Sequence, residues 1–449
     1  MTSPVQSPHI PAMWTYHPDL LAVPVPRYTS YPTAAEFTAV VGNPDLDAAL
    51  RGASGDVSVY LHIPFCTSIC WYCGCNTAAA NRRQQLDHYL DALHREIAQV
   101  GVRLPSNVRI SRVAFGGGSP NALEPTDLVR LADALTLHLP LDAPVWSVEI
   151  DPRSLTRDWA LVLGSIGVSH ASLGVQTLAP HLQAAIGRIQ PEPVIAHATA
   201  LLRANGVRSL NFDLMYGLPG QTWDDLEATL NRSIKLGADR VALFGYAHVP
   251  DLIPRQRQID ATRLPDVKAR FAMAARGSAL LTRSGYRAVG FDHFARPGDP
   301  LAMAAQQGRL RRNFQGFTDD PAPALIGLGA SAISAFPHMI VQNEKHAGRY
   351  RAMVKDQGLA GALGVARSAD DQRRGAIIEA LLCQGRAAIG ADLAAQVAGR
   401  LAPFVARGLA TLHDGVLRIA DDALPYARSI AALFDAHRVA STRTFSSAV

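Results

Sequence analysis

Residues Val57 to Asn76 read V-S-V-Y-L-H-I-P-F-C-T-S-I-C-W-Y-C-G-C-N. The first seven, through Ile63, are apolar and rich in β-branched side chains, the composition of a strand. A loop follows that carries Cys66, Cys70, Cys73 and Cys75, four of the chain's five cysteines, spaced C-x-x-x-C-x-x-C-x-C. Phe65, Trp71 and Tyr72 are interleaved with the thiols. In parallel α/β folds, ligands bind at loops on the carboxyl ends of strands. A cysteine loop in that position predicts a ligand site at the mouth of such a sheet.

Outward from this stretch, strands and helices alternate. Leu86, Tyr89, Leu90, Leu93 and Ile97 recur at helical spacing. Val108 to Phe115 reads as a strand entering Gly116-Gly117-Gly118-Ser119-Pro120. Leu128 to Leu139 reads as a helix stopped by Pro140, and Val145 to Ile150 as a strand ending in E-I-D-P. A helix around Trp159 to Ile166 precedes a short strand, Ala171 to Gln176. Leu210 to Tyr216 is a strand entering G-L-P-G, Asp224 to Leu236 a helix with Asp224 and Asp225 in its first turn, and Arg240 to Tyr246 the next strand. Six βα units between about Val57 and Arg287 predict an α/β fold, a partial (βα)6 barrel of parallel strands. A closed barrel needs eight.

The flanks read differently. Residues 1–55 are proline-rich and predict an N-terminal arm, extended over Pro26 to Ala34. Residues 56–365 form the catalytic unit, irregular after Phe291. Residues 366–449 predict a mostly helical, winged-helix-like unit. Its parts are helices around Gln372 to Leu382 and Asp392 to Arg407, a hairpin turning at Asp414-Gly415, and a last helix near Tyr426 to Ala436.

Of 449 residues, 48% are hydrophobic and 18% charged, which excludes wholesale disorder. No apolar run is long enough to span a bilayer, and Met1 to Pro11 lacks the basic and apolar regions of a secretory signal, so a cytoplasmic location is expected. A net charge of +5 suits an anionic substrate. A winged helix used on DNA would carry a basic recognition helix, and Asp392 to Arg407 has few basic residues, so no nucleic-acid partner is expected.

The thiols admit several readings. Four cysteines can close a 4Fe-4S cluster, or three can hold it and leave one iron open. Zinc is the metal alternative, although its ligand pairs are usually separated by a longer span. Four buried structural cysteines bunched this densely would be rare. Cys383 stands far away and reads as core. Glu149, Gln176 and Asp213 fall on successive strands, where polar groups at strand ends converge on one rim.

The sequence resembles the radical S-adenosylmethionine enzymes, and within them the oxygen-independent coproporphyrinogen III oxidase family. The resemblance spans nearly the whole chain. It rests on P-R-Y-T-S-Y-P-T-A at Pro26, the cysteine motif from Tyr60, G-G-G-S-P at Gly116, E-I-D-P at Glu149, L-G-V-Q at Leu173 and D-L-M-Y-G-L-P-G-Q-T at Asp213. It continues through F-G-Y-A-H-V-P at Phe244, G-F-D-H-F-A-R-P at Gly290, R-N-F-Q-G-F-T at Arg312 and G-L-G-A-S-A-I-S at Gly327. It implies one 4Fe-4S cluster on Cys66, Cys70 and Cys73, with Cys75 a family cysteine that does not ligate. It further implies two molecules of S-adenosylmethionine. Tyr60, Gly117, Glu149 and Ile333 would contact the first. Tyr72, Gly118, Ser119, Gln176, Arg188, Asp213 and Ala247 would contact the second. Ser119 stands where threonine is commoner and Tyr72 where phenylalanine is familiar; Arg188 lies between Gly187 and Ile189.

The implied reaction is oxidative decarboxylation of two propionates of coproporphyrinogen III to vinyl groups, giving protoporphyrinogen IX. A 5′-deoxyadenosyl radical would take hydrogen from each propionate β-carbon. A monomer served by a low-potential donor such as flavodoxin or ferredoxin is expected, with no membrane partner. No catalytic residue is assigned. Arg27, Arg296 and Arg312 are candidates for the substrate carboxylates. A paralogue in haem handling or haem breakdown is the alternative, but this chain has both the arm and Cys75, which some of those relatives lack.

Overall fold

The structure, a computed structural model, describes residues 14–80 and 82–438. The reading of Met1 to Pro11 and the end of the last unit, residues 439–449, lie outside the described residues. Six strands stand side by side in chain order: β1 (Gly55–Ile63), β2 (Val108–Gly117), β3 (Leu141–Ile150), β4 (Val168–Gln176), β5 (Ser209–Tyr216) and β6 (Arg240–Gly245). Every pairing among them is parallel. Side-chain alternation along β5 shows why this sheet is two-faced. Leu210, Phe212 and Leu214 are wholly buried in the core, while Asn211 and Asp213 turn the other way and bond to Ser172 of β4. The helix after β5, Trp223–Lys235, starts where its capping box directs: Thr222 and Asp225 satisfy each other's backbone N–H groups.

The stretch after Phe291 holds more regular structure than its sequence suggests. His293–Ala295 pairs antiparallel with β6, and β7 (Ala324–Leu328) pairs parallel with β1 on its free side, Tyr60 opposite Gly327. Three antiparallel strands, Ile333–Phe336, Met339–Asn343 and Gly361–Ala366, and Arg287–Val289 beside His293–Ala295 at the other edge, extend the sheet to twelve. Every residue of β7 is buried, so no polar alternation marks it as a strand. The sheet does not close on itself among the described residues.

The last unit contains helices Ala369–Gln384 and Ala391–Ala406 and a hairpin, Ala410–His413 with Val416–Ile419. Asp414 and Gly415 both adopt positive φ, 48° and 72°, as a two-residue turn requires. Arg386–Ala388 adds a third strand. The expected single helix over Tyr426 to Ala436 is instead a 3₁₀ segment ending at Tyr426, a short α-helix Ala427–Ala431 and a 3₁₀ turn Ala432–Phe434, in a segment buried on all sides.

The arm carries no helix or strand over residues 26–33 but is packed against the rest of the chain. It includes the helix Asn43–Arg51, opened by Pro44 and by Asp45 accepting from the Gly42 N–H. Leu21, Val25, Tyr28 and Tyr31 share one apolar cluster with the barrel and with Tyr426 and Phe434. The Tyr28 hydroxyl donates to Asp435 at 2.9 Å, and the Ala436 N–H donates to Tyr31 at 2.9 Å.

The helix Arg83–Arg103 pins β1 and β7 together. Tyr89 donates to the His62 carbonyl at 2.7 Å and accepts from Ala330 N–H at 2.9 Å. Glu96, 1% exposed, accepts from Gly329 N–H (2.6 Å), Asn343 (2.7 Å) and the Tyr350 hydroxyl (2.7 Å). Burial pushes the Glu96 pKa up to about 7, against the hydrogen bonds that favour its charge. With a folded pKa above the unfolded one, the folded chain binds the extra proton between about pH 4.5 and 7, so this contribution is full below that window and fades as pH rises through 7. Glu96→Gln is expected to lower stability by about 1–3 kcal/mol by placing an amide N–H₂ among donors. It should also flatten the fall in melting temperature between pH 5 and 8, as thermal unfolding would show.

Candidate active site

The register of β1 against β2 places Ile63 opposite Gly117. Beyond the strand ends the pairing continues: Gly118 N–H donates to Ile63 O at 2.8 Å, and Ser119 N–H to Phe65 O at 2.7 Å. The glycine run is thereby held against the start of the cysteine loop. Gly117 sits at φ 108°, and a Cβ there would lie 2.5 Å from the His62 ring, so only glycine fits.

Cys66, Cys70 and Cys73 face one cavity of about 190 Å³ at the carboxyl ends of the strands. Cys75, Tyr72, Gly117, Gly118, Ser119, Glu149, Gln176, Arg188 and Asp213 line it as well. A second, larger cavity of about 580 Å³ contains Tyr60 and shares Gly117, Glu149 and Cys75 with the first. Two expected residues lie apart from both. Ala247 lines a small cavity beside Arg27, although Gln256 ties it to the cysteine loop by donating to both Tyr72 O (3.0 Å) and Ala247 O (3.1 Å). Ile333 lines a cavity under the arm, next to Phe314, whose ring packs edge-on against Tyr60.

Charge is concentrated on the thiols. Arg188 donates to Cys70 Sγ at 3.2 Å and Arg153 at 3.5 Å. Asp151, 3% exposed, holds both guanidiniums, with Arg153 at 2.6 Å and Arg188 at 3.3 Å. Burial opposes ionisation of Asp151, yet these two partners keep its carboxyl below the ordinary range. Cys73 is brought down to about 6, chiefly because the Cys75 thiol donates to it, and burial pushes Cys66 up. Asp151 and Arg153 are the residues that sequence reasoning missed: both belong to the stretch after Glu149, but their shared role needs the fold to bring Arg188 beside them.

Two carboxyls face the cavities. Burial raises Glu149 to about 7 and raises Asp213 as well. Asp213 accepts from Ser172 (2.9 Å) and Asn211 (2.8 Å), whereas Glu149 accepts from Gly117 N–H at 3.0 Å through one oxygen.

These donors fit an iron-sulfur cluster: four thiols line one cavity, and the space around them is lined by hydrogen-bonding groups. Of the arginines proposed for substrate, Arg27 lies at the mouth, with its guanidinium over Phe244. Arg296 is at the far end, where its N–H bonds Asp239 O just before β6 and its side chain stacks on Tyr286. Arg312 is turned into the arm, donating to Arg27 O at 3.1 Å and Tyr28 O at 3.2 Å.

Comparison with known proteins agrees with this geometry. The radical SAM superfamily matches residues 60–232. The chain is 40% identical to the oxygen-independent coproporphyrinogen III oxidase of Bradyrhizobium diazoefficiens over 92% of this chain and 94% of that one. It is 36% identical to the enzyme of the same name from Escherichia coli over 92% and 93%. The solved structure of the Escherichia coli coproporphyrinogen III oxidase, described as a radical SAM enzyme, superposes with a TM-score of 0.88 at 34% identity, covering 95% of this chain and 100% of that one.

The roles of the thiols are separable. Cys75→Ser is expected to retain its cluster and Cys70→Ser to lose it. Iron and sulfide content and the charge-transfer absorbance of anaerobically reconstituted protein read this directly.

Proposed function

This chain belongs to the oxygen-independent coproporphyrinogen III oxidase family, and from that premise we propose how its two adjoining cavities divide the cofactors. It is a radical S-adenosylmethionine enzyme that converts two propionate side chains of coproporphyrinogen III to vinyl groups, with loss of carbon dioxide, to give protoporphyrinogen IX. Cys66, Cys70 and Cys73 hold one 4Fe-4S cluster. The first S-adenosylmethionine occupies the larger cavity against Tyr60, Gly117 and Glu149, with Ile333 in the neighbouring cavity under the arm. The second occupies the cysteine cavity against Tyr72, Gly118, Ser119, Gln176, Arg188 and Asp213, with Ala247 at its edge. The observation that carries this reading is the partition itself. Six of the seven residues expected for the second molecule line the cysteine cavity alone, Tyr60 lines the other alone, and Gly117 and Glu149, expected for the first, line both.

The cofactors supply the hydrogen-abstracting 5′-deoxyadenosyl radical when bound. The chain's own residues bind, orient and shield. Glu149 offers a carboxylate oxygen to donors of the first molecule. Arg188 and Arg153 place two guanidiniums on the Cys70 sulfur and so favour the more negative cluster environment. The arm, residues 1–55, and the last unit, residues 366–449, act as covers over the catalytic unit, residues 56–365; their joined tyrosine and aspartate contacts support this. No helix among the described residues is long and apolar enough to cross a membrane; a cytoplasmic monomer is part of the proposal. A low-potential donor such as flavodoxin or ferredoxin delivers the electrons. No nucleic acid is involved.

The reconstituted enzyme, supplied anaerobically with S-adenosylmethionine, a low-potential reductant and coproporphyrinogen III, is expected to yield protoporphyrinogen IX, detected as protoporphyrin after oxidation. Formation of 5′-deoxyadenosine without vinyl product would instead favour the haem-handling paralogue.

A further inference from the structure

Gln256 lines neither cofactor cavity, yet it holds a wall of one. It lies in the 3₁₀ segment Pro254–Gln258, which follows β6, and is 1% exposed. Its Nε2 donates to Tyr72 O at 3.0 Å and to Ala247 O at 3.1 Å, while its Oε1 accepts from the Val249 N–H at 2.6 Å. These partners fix which way the amide points. Carbonyls only accept and an N–H only donates, so a flipped amide would set oxygen against two oxygens. One buried side chain thus joins the cysteine loop to the segment that follows β6.

Each of the two segments carries an expected contact of the second S-adenosylmethionine. Tyr72 stands between Cys70 and Cys73 and lines the cysteine cavity. Ala247 follows the end of β6 at Gly245 and lines the small cavity beside Arg27 instead. The loop is held on its other side as well. The Trp71 N–H donates to Ile186 O at 3.2 Å, and a Cβ at Gly187 would lie 2.6 Å from the Trp71 ring. Arg188 comes next in the chain and enters the cysteine cavity. The Tyr72 side chain packs with Tyr246 and Ile259 in one apolar cluster. Apolar contact has no preferred direction, whereas the doubly donating amide sets both a distance and an angle. The turn that carries the thiols has a bond of its own, Cys73 N–H on Cys70 O at 3.4 Å. Loss of the Gln256 amide therefore bears on Tyr72 and Ala247 before it bears on the cluster ligands.

We propose that Gln256 is a positioning residue for the second S-adenosylmethionine: by bridging Tyr72 and Ala247 it sets the spacing of the two backbone segments that this molecule meets. This rests on the two-molecule reading above. A displacement of about 1 Å at such a wall is enough to cost a bound molecule its orientation. A tie that served the fold alone would act on the cluster and on both molecules alike, because all of them depend on the cysteine loop.

The test uses anaerobically reconstituted holoenzyme. Equilibrium dialysis with S-adenosylmethionine counts the bound molecules and their affinities, and the electron paramagnetic resonance spectrum of the reduced cluster reports the molecule bound at the iron. Gln256→Glu keeps the side chain's shape and the acceptor for Val249, but turns a carboxylate oxygen toward two carbonyls. It is expected to retain iron, sulfide and the spectral change on adding S-adenosylmethionine, and to bind the second molecule roughly tenfold to hundredfold more weakly. Gln256→Asn keeps the amide but shortens its reach. It is expected to show the same selective loss, and it carries the comparison should Gln256→Glu fail to fold. Folded variants that bind the second molecule as tightly as the wild type would overturn the proposal. So would parallel loss of the cluster and of both molecules, which would mark a tie that serves the fold alone. A wild type that binds one molecule would overturn it together with the two-molecule reading, and is told apart because the wild type itself shows it.

Discussion

One backbone alignment organises this molecule: Ile63 of β1 opposite Gly117 of β2, continued past the strand ends by Gly118 on Ile63 O and Ser119 on Phe65 O. Because side chains alternate along a strand, a slip of one residue would turn every inward group outward. The alignment sets the glycine run against the cysteine loop, so that backbone N–H groups and thiols line the same space. It also fixes Glu149, which the Gly117 N–H meets at 3.0 Å. On the other side of β1, the Tyr89 and Glu96 contacts hold β7 in place and with it the turn that leads to Ile333.

A second constraint is electrostatic. Thiolates, two buried carboxyls and a substrate with four carboxylates must coexist at one mouth. The structure answers with buried arginines rather than lysines. Arg188 and Arg153 meet both Asp151 and Cys70 with fixed planar forks, which a flexible ammonium would not reproduce.

Much of this was legible in the sequence. Apolar runs of strand length alternating with helical periods gave the six parallel strands, because each strand is buried by the helices flanking it. The cysteine spacing and the strand-end residues Glu149, Gln176 and Asp213 marked the site, because in such a sheet strand ends share a rim. The parts that stayed hidden depend on distant partners. β7 has no polar alternation, since neighbours cover both its faces. The last helix breaks into shorter turns where its alanines are packed on all sides. Arg296, attractive within its motif, goes to the opposite end because the strand that precedes it runs antiparallel to β6.

Two adjoining cavities meet at Gly117 and Glu149 beside the thiols proposed to hold a cluster with one open iron. The most direct measurement is the number of S-adenosylmethionine molecules bound per 4Fe-4S cluster, by anaerobic equilibrium dialysis of the fully reconstituted enzyme. The account predicts two, falling to one when Asp213 is replaced by alanine while the cluster stays intact. A ratio of one in the wild type would contradict it.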